Sequence, residues 1–124
     1  MNVQLLQDSV EVLKTNLGGG LLATDIFSTN DYQSVAGWNS NPTACVLFGQ
    51  IATSMDKSLK DSGFPGLGKY FLLHLVDEKM VIVIPMGNYM WGMLIDGKRV
   101  ALGLVLNVAL PKAISAFEEA LIAK

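Results

Sequence analysis

The stretch from Lys69 to Ile95, KYFLLHLVDEKMVIVIPMGNYMWGMLI, constrains this chain more than any other. It holds three apolar runs, broken first by Asp77-Glu78-Lys79 and then by Met86-Gly87-Asn88. A strand sends alternate side chains to opposite faces. In the first run Phe71, Leu73 and Leu75 fall on one face, and Tyr70, Leu72, His74 and Val76 on the other. Both faces are mostly apolar, and residues 80–84 and 89–95 repeat the pattern. Such runs belong to a sheet covered on both sides. Neither break is long enough for a crossover helix, so the three strands follow one another antiparallel.

The rest of the chain supplies the covers. Val3, Leu6, Val10, Leu13 and Leu17 make a helical stripe over residues 2–17. Asn2 caps its start and Gly18-Gly19-Gly20 ends it. Residues 21–28 have strand composition, 29–31 are turn-like, and 33–38 complete a hairpin. Asn41-Pro42 opens a second helix, with Asn as cap and Pro at the first helical position. Its stripe of Ala44, Phe48, Ile51, Met55 and Leu59 is expected to face the sheet, and Gly63 closes it.

Past the meander two patterns compete. Asp96-Gly97 is a hairpin signal that would make residues 100–108 a further strand. Leu102, Leu106, Leu110, Ile114, Phe117 and Leu121 instead mark a helix over roughly 101–123, bent near Pro111, which lacks one N–H. The helical stripe outruns a typical strand, and we adopt it. The order is then α-β-β-α-β-β-β-α. That is an α+β, profilin-like sandwich: one five-stranded antiparallel sheet with helices on both faces, as a single domain over residues 1–124.

Composition narrows the functional classes. Apolar residues are 51% and charged ones 16% of the chain, against roughly 45–50% and about 25% in ordinary soluble domains. So few charges imply that part of the surface is covered, most simply by another copy. No run approaches the ~18–20 apolar residues that span a membrane, and MNVQLLQDSV lacks the basic start of a signal peptide. A net charge of −2 with dispersed Lys and Arg gives no nucleic-acid footprint. The lone Cys45 has no partner for an intrachain disulfide, which fits a reducing cytoplasm.

No constellation carries chemistry. Gly63, Gly68 and Lys69 have P-loop spacing, but Tyr70 stands where magnesium requires Ser or Thr. The surrounding order is helix, loop, strand rather than strand, loop, helix. His74 is the sole histidine, with no ligand set beside it and leucines on either side, so it reads as a core or interface residue. Asp56, Asp61, Glu118 and Glu119 read as solvated helix positions. Met80, Met86, Met90 and Met93 either fill the core or offer an adaptable surface. On the second helix, Cys45, Gly49, Ala52 and Asp56 form a mostly small-residue line a quarter turn from the apolar stripe. That line either admits another helix or skirts the core. Val46, Gln50, Thr53, Lys57 and Lys60 form the outermost line. No catalytic residue, cofactor or metal is expected.

The segments LGGGLLATDIFS, NPTACVLFGQIATSMDKSL, KYFLLHLVDEKMVIVIP and LGLVLNVALPKAISAFEEAL together resemble the roadblock family of dynein light chains and bacterial gliding regulators. One departure is the glycine-free link Ser28-Thr29-Asn30-Asp31-Tyr32, where members often carry an acidic-Gly turn. The resemblance implies a non-enzymatic homodimer in which third strands pair edge to edge and second helices lie side by side. Carried over by position, the edge is 70–76, with Tyr70, Leu72, His74 and Val76. The helix is 43–60, with Cys45, Gly49, Ala52 and Asp56 at the contact. Val46, Gln50, Thr53, Lys57 and Lys60 are left for a partner. Members commonly bind or regulate Ras-like small GTPases or scaffold motor and signalling complexes. A small-ligand sensor of the same sandwich type is the alternative, and an enzyme using His74 or the glycine loop comes last.

Overall fold

The computed structural model describes residues 1–123. It contains α1 (Val3–Leu17), β1 (Leu21–Ser28), β2 (Ser34–Trp38), α2 (Pro42–Asp61), β3 (Phe71–His74), β4 (Lys79–Met86), β5 (Tyr89–Asp96) and a terminal helix, α3, over residues 102–122. Both capping asparagines act as expected. Asn2 accepts the Leu5 N–H and Asn41 the Ala44 N–H, so each helix start has one of its orphan donors satisfied.

The strands form one sheet in the order β2-β1-β5-β4-β3, with every neighbouring pair antiparallel. The hairpin β1–β2 and the meander β3–β4–β5 are local; the β1–β5 pairing joins them. One face carries Ile26, Ile82, Ile84 and Trp91 against Leu6, Val10 and Leu13 of α1 and Phe117 of α3. The other carries Phe27, Val81, Val83 and Met90 beneath α2. Trp91 and Phe117 meet edge to face at 5.7 Å. The indole N–H donates to Thr24 Oγ1, which donates on to the Gly92 carbonyl, each at 2.7 Å. A dry core thus accepts tryptophan without an orphaned donor. Met80, Met90 and Met93 are buried, which settles them as core filling.

The glycine-free β1–β2 link is made by Tyr32 in the left-handed region, φ 59°, and by a register shift between Ile26 and Phe27. The C-terminal segment is helical, so the strand alternative fails. Asp96-Gly97 makes no hairpin; the Gly97 N–H donates to the Glu78 carbonyl and ties two turns together. α3 starts as one α turn, Leu102–Leu104, widens to a π turn over Val105–Ala109, and continues as α-helix through Leu110–Ile122. The π turn ends just before Pro111, so the helix absorbs the missing donor there. It also rotates the buried line: Val105 and Ala109 face the core, while Leu102, first in the expected stripe, is exposed.

The two sheet edges differ. On β2, the Gly37 N–H donates to Gln7 Oε1, and Gln7 Nε2 donates to the Gly37 carbonyl, both at 3.2 Å. A side-chain amide from α1 thereby stands where a further strand would bond. No such cap is present on β3 among the described residues.

Candidate functional site

The position of α2 on the sheet is fixed from its N-terminus. Asp25 of β1 is buried, and its Oδ1 accepts the hydroxyls of Ser34 at 2.7 Å and Ser40 at 2.5 Å. Its Oδ2 accepts the Asn41 N–H at 3.0 Å. One carboxylate therefore holds β1, β2 and the start of α2 together. The neighbouring Cys45 thiol is pushed up to about 12, first by burial and then by the Asp25 charge. It is an inert core thiol.

The roll of α2 corrects the sequence reading. Cys45 (2% exposed), Gly49 and Ala52 (1%) face the chain's own sheet. They were expected at a partner's helix; the flat surface of Phe27, Val81 and Val83 takes them instead, because small side chains let α2 settle close. Asp56 is likewise engaged within the chain. It accepts the Leu67 N–H at 2.8 Å and pairs with Lys60 at 2.9 Å, strapping the glycine-rich 63–69 loop along α2. The Lys60 hydrogen bond and then the Leu67 N–H hold its carboxyl below the usual range. At Gly49 a Cβ would lie 2.5 Å from the Tyr32 ring. Gly49→Val should therefore lower stability by about 2 kcal/mol, in the range for overpacked sites. A urea midpoint unchanged from wild type would contradict that packing.

The displaced apolar stripe lies on one flank of α2. Val46 neighbours Tyr32, Gln33 and Ser34 on the β2 side. Ala44, Leu47 and Phe48 neighbour Leu75 and Val81 on the β3 side, around an apolar groove of about 340 Å³. Ala44, Phe48, Ile51, Met55 and Leu59 are half-buried and Leu47 is 49% exposed, so this flank is only partly covered. The outer line Val46, Gln50, Thr53, Lys57 and Lys60 is exposed, with Lys57 paired to Asp61 at 2.6 Å.

β3 is the open edge beside that flank. It was expected over 70–76 but spans Phe71–His74, because the chain turns sharply at Asp77 and Glu78, both left-handed at φ 62° and 58°. Lys98 grips Asp77 at 2.6 Å, which holds the turn in place. Tyr70 and Val76 lie outside the strand, Val76 at 90% exposure. The Leu75 N–H donates to Lys79 O at 2.7 Å. That bond sets the alternation: Phe71, Leu73 and Leu75 aim their backbone groups at β4, while Leu72 and His74 aim theirs outward. Phe71 and Leu73 lie opposite Val83 and Val81 on the α2 face; Leu72 and His74 lie opposite Ile82 and Met80 on the other. His74 is exposed, not core, with Nε2 3.5 Å from Glu78. Leu47, Leu75 and Phe64 are exposed as well; their neighbours in the sequence are mostly apolar or small, so no local signal marks them as surface residues.

Among the described residues, no three His, Cys, Asp or Glu side chains gather as a metal site, and no helix is long and apolar enough to cross a membrane. No family model and no curated protein matches the sequence. Solved structures do match. Myxococcus xanthus MglB superposes with a TM-score of 0.79 at 14% identity, over 98% of this chain and 93% of that one. A Roadblock/LC7 domain from Streptomyces avermitilis superposes at 0.64 and 10% identity, over 92% and 98%. The chain has the roadblock fold. Schizosaccharomyces pombe profilin, at 0.61 and 9% identity over 95% and 99%, places the roadblock fold among profilin-like sandwiches. At these identities the likeness concerns architecture, and the exposed edge and flank above belong to this chain's own sequence.

Proposed function

We propose that this chain is a single-domain, homodimeric, non-enzymatic regulator or scaffold of the cytoplasm that docks a Ras-like small GTPase on its dimeric face. The observation that carries the reading is the asymmetry of the sheet. Its β2 edge is capped by Gln7, while β3 is bare and borders a half-covered apolar flank of α2. A bare edge of that kind is an aggregation hazard unless it is paired. A second copy satisfies both needs, and intimate pairs of this sort bury roughly 2,000 Å² or more in total. The contact on α2 is then Ala44, Leu47, Phe48, Ile51, Met55 and Leu59, with the edge residues Leu72 and His74 between the copies. Val46, Gln50, Thr53, Lys57 and Lys60 remain outside, available to a partner. The likeness to MglB, a gliding protein, supports a regulatory module of the roadblock kind.

The ligand-sensor alternative would use the groove between α2 and the sheet, but that groove opens beside the uncovered flank, where a second copy would close it. The GTPase reading is tested by capture on the immobilised full chain from lysate charged with GTP analogue or with GDP. Expected is a small GTPase held in one nucleotide state and weakened several-fold by Lys57→Ala without loss of the dimer. Absence of any GTPase in both states overturns it.

A further inference from the structure

We infer that two copies of this chain pair through β3 in one register, with the two-fold axis passing between the two Leu73 residues. The inference rests on the dimer reading above and goes further by fixing which residue meets which. Only residues whose backbone groups point outward can bond across the axis, and in β3 these are Leu72 and His74. Symmetric antiparallel pairing therefore allows three compact registers, centred on residue 72, 73 or 74.

Side-chain chemistry separates them. Centring on residue 73 bonds Leu72 of each copy to His74 of the other, so both outward residues of β3 are used. On the α2 face it sets Leu73 against Leu73 and Phe71 against Leu75, an apolar floor beneath the two α2 flanks. It also sets Lys69 across from Asp77. Lys69 is exposed and has no ion pair within its own chain among the described residues, and Asp77 lies in the turn that follows β3, held there by Lys98. Centring on residue 74 would instead place Phe71 against Asp77. Centring on residue 72 would place Lys69 against Leu75. Each wrong register sets an apolar side chain against a charge at both ends of the ladder.

Disulfide trapping reads the register directly. Two cysteines at a non-hydrogen-bonded antiparallel pair have Cα atoms about 4.5 Å apart, within disulfide range. Leu73→Cys, Leu72→Cys and His74→Cys are prepared in the full chain, where Cys45 is too buried to compete. Under mild oxidation Leu73→Cys is expected to run largely as a covalent pair, several-fold faster than the other two. Faster trapping of Leu72→Cys or His74→Cys overturns the register but keeps the dimer. Light scattering that gives a wild-type dimer while none of the three traps overturns the β3 interface. A wild-type monomer removes the dimer reading itself. As an independent check that leaves the strand intact, Lys69→Glu should weaken the dimer several-fold at low salt and much less at high salt. An unaltered dissociation constant contradicts the assigned register.

Discussion

On the pairing proposed above, the double variant Leu47→Asp with Ile51→Asp is expected to be a folded monomer at concentrations where the wild-type chain is expected to dimerise. Leu47 is half exposed and Ile51 partly so in the single chain, so neither carboxylate must enter the core for the domain to fold. In the pair, both would be enclosed against the opposite α2 flank without a partner. A buried unpaired charge costs about 3–5 kcal/mol. Every 1.4 kcal/mol is about tenfold in affinity, so the dissociation constant should rise by at least about a thousandfold. Gel filtration with light scattering across a wide concentration range gives the answer, with circular dichroism to confirm that helix content is kept. Gln50→Asp, on the outer line, serves as the control and should stay dimeric. A double variant that remains a dimer of wild-type affinity would place the interface elsewhere.

Asp25→Ala is expected to cost about 3 kcal/mol of stability. Hydrogen bonds to a charged group contribute about 1.5–3 kcal/mol each, and less where water can reach the freed donor. Here two hydroxyls and the Asn41 N–H lose their acceptor together. For a chain of this length a loss of that size lowers the melting temperature by roughly 10 °C. Because Asp25 holds the start of α2, the damage should be largest there, and amide exchange at residues 41–45 would show it. Alkylation of Cys45 should also quicken, since the nearby charge no longer disfavours the thiolate. A melting temperature within a degree or two of wild type would mean that Asp25 does not organise this corner.

Local chemistry made much of the fold legible. Alternation and short polar breaks mark the meander; Asn2 and Asn41-Pro42 mark the helix starts; and the long apolar stripe outweighs Asp96-Gly97 at the C-terminus. What could not be read depends on distant partners. Whether the apolar stripe or the small line of α2 meets the sheet turns on what the sheet offers, and Phe27, Val81 and Val83 come from two distant strands. The expected stripe was therefore a quarter turn off, and with it Cys45, Gly49 and Ala52 as contact residues. Apolar composition continues through Val76 and extends the expected β3, whereas the tight turn at Asp77 and Glu78 ends the strand two residues earlier. Asp25 and Gln7 were missed for the same reason. Each is an ordinary polar residue until its partners, many positions away, are brought to it.

The amide of Gln7 has a consequence for how many copies can join. A particle with one bondable side has a valence of one, and raising its concentration produces more pairs, never longer chains. A particle with two such sides links head to tail into strings whose length grows with concentration. A five-stranded sheet begins with two sides, and in this chain one glutamine side chain, bonded both ways to Gly37, closes one of them. If β3 pairs as proposed, that closure leaves a finite pair in place of a growing string.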